Sequence, residues 1–296
     1  MNQILKSIIA KQRKDFDVIA SGMTVPESAW EGSCVFHNMR YCNDDDPAHR
    51  MDLYCPKDAL IPTPVIVNIH GGGLIMGNKE FNRYFCQNLC KMGFLVFSVE
   101  YRLCPEATVF QQLEDIFAAM NYIHNMLPML DAVKGQCYLV GDSAGAMLAM
   151  YAAAIQRNPK LAKAAGVQPS YLEIRALGLI SGMFYTIRKD SIGLLLPTAF
   201  YGEDYKQHPF YPYLNPEHNE VINYLPPALL ITSKHDNLRN YTYSLAAAIK
   251  RKGSPCYLKD YGRSATLTHA FPVFKPELPE SMEVLGNITA FFTTHR

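Results

Sequence analysis

A series of short apolar-rich runs governs what this chain can fold into: 65–69, 95–99, 137–140, 176–180 and 228–232. Each is too short for a globular helix. Between them lie longer segments whose apolar residues recur with helical period, at 82–92, 109–126, 144–156 and 241–252, with a last one at 280–293. Strand alternating with helix builds βαβ units, and their crossovers cover a mostly parallel sheet on both faces. Strands buried on both faces read as near-continuous apolar runs rather than as a strict alternation, which is the pattern seen. The expected architecture is therefore one α/β domain over residues 1–296, with helices flanking a central, mostly parallel sheet.

Two regions depart from the alternation. Residues 1–30 mix Ile, Leu, Phe and Val with Lys and Asp at roughly helical spacing and read as one or two amphipathic helices ending near Pro26. Residues 182–226 are rich in Tyr, Phe and Pro and read as an insertion packed over one edge of the sheet. Ahead of the first buried run, 34–41 and 50–54 alternate in polarity around Asn43-Asp44-Asp45-Asp46-Pro47, turn chemistry that predicts an antiparallel hairpin.

Composition narrows the partners. Lys plus Arg number 28 and Asp plus Glu 27, so no excess charge favours nucleic acid or an anionic membrane surface. The N-terminal apolar grouping is too short for a secretory segment, and no stretch is long enough to span a bilayer. The 8 cysteines lack CxxC spacing and sit in a chain large enough to fold without staples, so they are expected to be reduced thiols in a cytoplasmic protein. Cys86 and Cys90 lie one helical turn apart, but with no His or Cys pair nearby they read as packing rather than as metal ligands.

A serine hydroxyl attacks a carbonyl at neutral pH only with a neighbouring base, a carboxylate to orient that base and donors for the oxyanion. The chain supplies a candidate for each. Gly141-Asp142-Ser143-Ala144-Gly145 closes one buried run and opens a helical segment, the strand–turn–helix setting of a G-x-S-x-G nucleophile elbow. Such a motif arises by chance in about one comparable sequence in twenty, so its context carries as much weight as its letters. His70-Gly71-Gly72-Gly73 ends another run, and by the same arithmetic arises roughly twice in a thousand. Its unobstructed backbone N–H groups, with Gly71 and Gly72 expected as donors, would join the Ala144 N–H at the start of a helix. A phosphate cradle is disfavoured because no Lys-Ser/Thr follows the glycines. Asp236, in the loop after the 228–232 run, is the expected acid, with Asp260 as its rival. His269, in the loop before the last helix, is the expected base, while His70 more often braces its loop and His235 and His295 are expected to be exposed. The order Ser, Asp, His is the one this strand–turn–helix arrangement uses.

In these motifs the sequence resembles the hormone-sensitive-lipase-like branch of the α/β-hydrolases, a family of carboxylesterases, across roughly residues 50–296. The family's H-G-G-G and G-D-S-A-G stand at His70–Gly73 and Gly141–Gly145. Its D-Y-R-L-A-P-E stands as Glu100-Tyr101-Arg102-Leu103-Cys104-Pro105-Glu106, its D-x-L-R as Asp236 to Arg239, and its H-G-F as His269-Ala270-Phe271. The resemblance implies an α/β-hydrolase fold, a triad of Ser143, Asp236 and His269, and oxyanion donors Gly71, Gly72 and Ala144. It also implies a helical cap built from about 1–30 and 182–226, and no cofactor. Three features depart from the pattern. Ala146 stands where a glycine usually follows the elbow, Leu74 where an aromatic usually follows H-G-G-G, and the loop 262–268 is longer than usual.

The expected activity is hydrolysis of small to medium uncharged carboxylic esters through an acyl-enzyme. The aromatic residues Phe184, Tyr185, Phe200, Tyr201, Tyr205, Phe210, Tyr211 and Tyr213 serve mostly as packing, with some lining an apolar pocket above Ser143. An amidase or peptidase using the same triad is the rival among enzymes. A ligand-binding receptor on the same fold is the rival outside them, since fold does not fix function. The expected partner is a small-molecule ester, and a homodimer is left open.

Overall fold

The computed structural model describes residues 3–21, 31–57, 62–130, 132–262 and 264–296. In chain order the elements are α1 (Gln3–Ser21), β1 (Ser33–Arg40), β2 (Arg50–Pro56), β3 (Thr63–Ile69), α2 (Arg83–Lys91), β4 (Leu95–Val99), α3 (Val109–Met126) and β5 (Ala132–Asp142). They continue with α4 (Ala144–Arg157), α5 (Pro159–Ala165), β6 (Ile174–Ile180), α6 (Ser191–Leu195), α7 (Pro197–Tyr201), α8 (Asn219–Ile222) and β7 (Ala228–Ser233). The chain closes with α9 (Arg239–Arg251), β8 (Cys256–Tyr261), α10 (Phe271–Phe274) and α11 (Pro279–Thr293).

The strands form an 8-stranded sheet in the order β1-β2-β4-β3-β5-β6-β7-β8. From β4 to β8 every pairing is parallel, and β2 runs antiparallel to both β1 and β4, so the expected hairpin caps one edge of the parallel sheet. Side chains alternate between two cores. Val65, Val67, Ile69, Leu139 and Leu230 face one, and Ile66, Tyr138, Val140 and Ile231 face the other. Helices α3, α4, α5 and α9 cover the first face, while α2 and α11 cover the second. Tyr138 shows how closely that second layer is fitted: its ring stacks on Phe292 at 4.3 Å and its hydroxyl donates to the Phe292 carbonyl at 3.0 Å. A buried phenol needs such an acceptor.

The sequence expectations differ from this structure in three places. Strand β5 is longer than the 137–140 run, and its register with β3 and β6 shifts near Cys137. Helix α5 was not anticipated, although Asn158 caps it, Pro159 opens it and Gly166 closes it in the left-handed conformation. The 182–226 stretch rests on helices rather than on a sheet edge. Phe110 of α3 meets Tyr201 at 5.7 Å, and Tyr151 of α4 meets Phe210 at 5.6 Å and donates to the Tyr213 carbonyl at 2.9 Å. Most of its aromatic residues are buried, as their packing role requires.

At the N-terminus, α1 is amphipathic, with Ile9 buried and Phe16 packed on Phe81 at 4.5 Å. The helix end expected near Pro26 lies outside the described residues. Among the described residues, no helix is long and apolar enough to cross a membrane.

Candidate active site

The turn between β5 and α4 holds Ser143 at φ 50° and ψ −117°, a conformation that a non-glycine residue keeps only when its surroundings enforce it. They do so here through the backbone: Ser143 N donates to the Ile180 carbonyl at 2.8 Å and Met183 N donates to the Ser143 carbonyl at 2.9 Å. The flanking glycines are required by close approach. A Cβ on Gly145 would lie 2.0 Å from the Ile69 carbonyl oxygen, and one on Gly141 would lie 2.5 Å from the Gly145 backbone. This turn crosses directly over the end of β3, which brings the two glycine-rich segments together.

His269 Nε2 lies 2.9 Å from Ser143 Oγ and its Nδ1 lies 2.7 Å from Asp236 Oδ1. An ionised carboxylate only accepts, so the Nδ1 proton points to Asp236 and Nε2 is left to accept the serine hydroxyl. Asp236 sits past the end of β7, where Thr232 Oγ1 donates to Oδ2 at 2.7 Å and Leu238 N donates to Oδ1 at 2.9 Å. Burial pushes this carboxyl up, but the His269 hydrogen bond and charge, with the Leu238 and Thr232 donors, outweigh it and hold the group below its ordinary value. Asp260, the rival acid, accepts instead from Arg239 and from Tyr243 Oη at 2.6 Å.

The loop carrying His269 is held at several points, although Arg263 lies outside the described residues. Ser233 Oγ donates to the Leu267 carbonyl at 2.6 Å, Ala270 N donates to Ser181 Oγ at 3.0 Å, and Lys275 Nζ donates to the Thr266 carbonyl at 2.7 Å. Thr268 also bridges to His235 in parallel strand fashion. His235 is exposed as expected, whereas His295 is half-buried against Phe291 at 4.3 Å.

The glycine loop corrects one expectation. Gly71 N donates to Asp142 Oδ1 at 3.0 Å, so its N–H is committed and does not face an oxyanion. Gly72 and Gly73 are half-buried, and neither N–H has a hydrogen-bond partner among the described residues. Ala144 N opens α4, where the first amides have no intrahelical acceptor. The free donors beside Ser143 are therefore those of Gly72, Gly73 and Ala144.

Buried polar residues, with the part-buried Glu100, hold this loop. Asp142 Oδ1 also accepts from Asn82 Nδ2 at 2.8 Å; burial raises its pKa against the lowering effect of Asn82, two histidines and the Gly71 N–H. His70 stacks on Tyr101 at 4.3 Å and donates from Nδ1 to the Gly71 carbonyl at 2.7 Å and from Nε2 to Glu100 Oε1 at 3.1 Å. An acceptor at each ring nitrogen favours the charged form of the imidazole. Burial pushes its pKa down, yet the Glu100 carboxylate outweighs burial and raises it. Of these supports only His70 was anticipated as a brace. Glu100 and Asp142 stood inside quoted motifs, but nothing local revealed that their carboxylates turn towards the glycine loop.

Elsewhere Cys42, Asp44 and His49 bring possible ligand atoms within 4.8 Å of one another. His49 is already engaged at both ring nitrogens, by Asp44 at 2.7 Å and Asp115 at 3.1 Å, and burial raises the Cys42 thiol. The cluster is accordingly a hydrogen-bonded tie between the β1–β2 turn and α3. Cys86 and Cys90 are buried free thiols within the core.

A model of the alpha/beta hydrolase fold family matches residues 66–272. A probable isoprenylcysteine alpha-carbonyl methylesterase of Arabidopsis thaliana is 27% identical over 222 residues, which cover 71% of this chain and 46% of that protein. One from Oryza sativa subsp. japonica is 29% identical over 138 residues, covering 47% of this chain and 33% of that protein. The chain thus spans less than half the length of these curated relatives. Among solved structures, esterase B from Lactobacillus rhamnosis aligns with a TM-score of 0.86 at 24% identity, over 98% of this chain and 93% of that one. An esterase of the archaeon Pyrobaculum calidifontis aligns with a TM-score of 0.72 at 24% identity, again over 98% and 93%. These structural likenesses show the fold.

Proposed function

The chain belongs to the alpha/beta hydrolase fold family, and from that premise we propose that it is a serine esterase cleaving small to medium uncharged carboxylic esters through an acyl-enzyme. The observation that carries this reading is the continuous relay from Ser143 Oγ through His269 to Asp236, at 2.9 Å and 2.7 Å, beside free backbone donors.

In the first half-reaction His269 Nε2 takes the Ser143 proton as Oγ attacks the ester carbonyl. The carbonyl oxygen becomes an oxyanion that accepts from the unpaired Gly72, Gly73 and Ala144 N–H groups. Asp236 keeps the imidazole in the required tautomer and stabilises its charged form. Collapse breaks the bond to the alcohol oxygen, which leaves with the proton from His269. Water then gives its proton to His269, attacks the acyl carbonyl and releases the acid, and Ser143 recovers its proton.

Helix α1 and the 182–226 stretch form the cap over this site, and the neutral charge balance fits an uncharged substrate. The relatives' activities, methylesterase and esterase, favour an ester over an amide. An intact base at His269 argues against a receptor role. Cysteines scattered without CxxC spacing, in a chain large enough to fold without staples, fit a reducing, cytoplasmic setting.

The test is Ser143→Ala assayed on p-nitrophenyl butyrate, with fluorophosphonate labelling of the unaltered chain. Loss of nearly all turnover and labelling at Ser143 are expected. Residual activity above a few per cent of the unaltered rate overturns the mechanism.

A further inference from the structure

The glycine loop has supports from two different bodies. From the sheet domain, Ile75 N and Met76 N donate to the Gly72 carbonyl at 3.2 Å and 3.0 Å, and Cys104 N and Gln112 Nε2 donate to the Leu74 carbonyl at 2.8 Å and 3.0 Å. From α1 comes Arg13. Arg13 Nε donates to the Ile75 carbonyl at 2.6 Å, and its NH2 group donates to the Cys104 carbonyl at 2.7 Å. The remaining edge of the guanidinium grips Glu106 through both nitrogens, at 3.0 Å and 2.6 Å. One planar group thus ties together the loop carbonyl next to the free donors and the strap that holds Leu74. This is a geometry a fork of fixed N–H groups suits and an ammonium does not.

The same helix reaches the segment that carries the base. Phe16 packs on Phe81 at 4.5 Å, and Phe81 packs on Phe274 of α10 at 4.8 Å, just beyond His269. Resting on the serine esterase reading above, we infer that Arg13 is a positioning residue: by fixing the 72–76 loop it makes the oxyanion donors of Gly72 and Gly73 dependent on the docking of α1. A part-exposed ion pair contributes little to global stability, whereas a donor displaced by about 1 Å costs on the order of 100-fold in rate. The two roles therefore separate experimentally.

The experiment compares the unaltered chain with Arg13→Ala, Arg13→Lys and Glu106→Gln on p-nitrophenyl butyrate. Arg13→Ala is expected to lower kcat roughly 10- to 100-fold with KM within about twofold and an almost unchanged melting temperature. Added methylguanidine should restore part of that kcat, and Arg13→Lys should retain most of the loss because it keeps the charge without the fork. A kcat within twofold of the unaltered chain, or an effect confined to KM, overturns the inference. Should Arg13→Ala fail to fold, Glu106→Gln is read by hydrogen exchange: faster exchange at the Ile75 and Met76 amides, which donate to the Gly72 carbonyl, supports the inference and unchanged exchange overturns it. An unaltered chain that neither turns over the ester nor takes up fluorophosphonate sinks the esterase reading and this one with it. An active chain indifferent to Arg13 sinks only this one.

Discussion

The carboxylate of Asp142 accepts the N–H of Gly71 at 3.0 Å from 71 residues further along the chain, and so binds the residue before Ser143 to the first glycine of the loop that faces it. The same oxygen accepts from Asn82 at 2.8 Å. Nucleophile turn and donor loop are thereby set against each other by one buried side chain.

It follows that Asp142→Ala leaves the Gly71 N–H without an acceptor, at a cost of about 1–3 kcal/mol, reduces Asn82 Nδ2 to its 3.4 Å contact with Asn68, and lets the glycine loop drift. A fall in kcat of roughly 100-fold with little change in KM is expected. Asp142→Asn keeps an oxygen at the accepting position and relieves a buried charge, so it should retain most activity. Equal losses in the two variants would contradict this account.

For Asp236→Asn the expected loss in kcat is on the order of 1,000- to 10,000-fold, because the amide can present an N–H to Nδ1 and favour the wrong tautomer. The stability consequence has a definite sign. A carboxyl whose folded pKa is lowered stabilises the protein above its ordinary value near 3.8 and loses that contribution as pH falls through the lowered one. Denaturation at several pH values should show a stability gap between the two proteins that is steady from about pH 5 to 7 and closes below about pH 4.

The His70–Glu100 pair has the opposite sign. A histidine raised by its partner contributes fully below its ordinary pKa of 6.5, and the contribution fades as pH climbs through the raised value. In Glu100→Gln the two largest raising causes are lost, and burial lowers that pKa against only the Gly71 carbonyl and the Asp142 carboxylate. The variant should be destabilised most near pH 6, by about 1–3 kcal/mol, with the gap narrowing towards pH 9. A gap that stays constant across this range in thermal melts would count against a charged His70.

Gly145→Ala places a Cβ 2.0 Å from the Ile69 carbonyl oxygen and 2.4 Å from that of His70, both backbone atoms of a central strand and its end. The Ile69 carbonyl cannot retreat without disturbing sheet pairing, nor that of His70 without losing the Tyr101 hydroxyl at 2.7 Å. We expect a loss of at least about 3 kcal/mol or failure to accumulate as folded protein, seen as a lowered melting temperature or insoluble expression. A melting temperature within a degree or two of the unaltered chain would be incompatible with this crossing.

Much of the fold was legible because its signals are local. The runs at 65–69, 95–99 and 228–232 became β3, β4 and β7 almost residue for residue, and the helical segment 109–126 became α3 with a Thr108–Gln111 capping box at its start. Where pattern was weak, reading failed. Helix α5 is a single short element whose cap and Pro–Gly punctuation outweighed its periodicity. The 182–226 stretch alternates short helices and turns, so no period announced that it would rest on α3 and α4.

The amino-acid sequence by itself determined the strand–helix alternation and which side chains could carry acyl-transfer chemistry, because propensity, periodicity and turn chemistry act over a few neighbouring residues. Only the tertiary structure decided which of the glycine N–H groups stays free, which of Asp236 and Asp260 meets His269, and how the loop before His269 is held. Those outcomes depend on hydrogen-bond partners such as Asp142 for Gly71, Arg239 for Asp260 and Ser233 for Leu267. A donor has one place to go once the chain is packed and many before it, so its partner is settled by long-range approach rather than by local sequence.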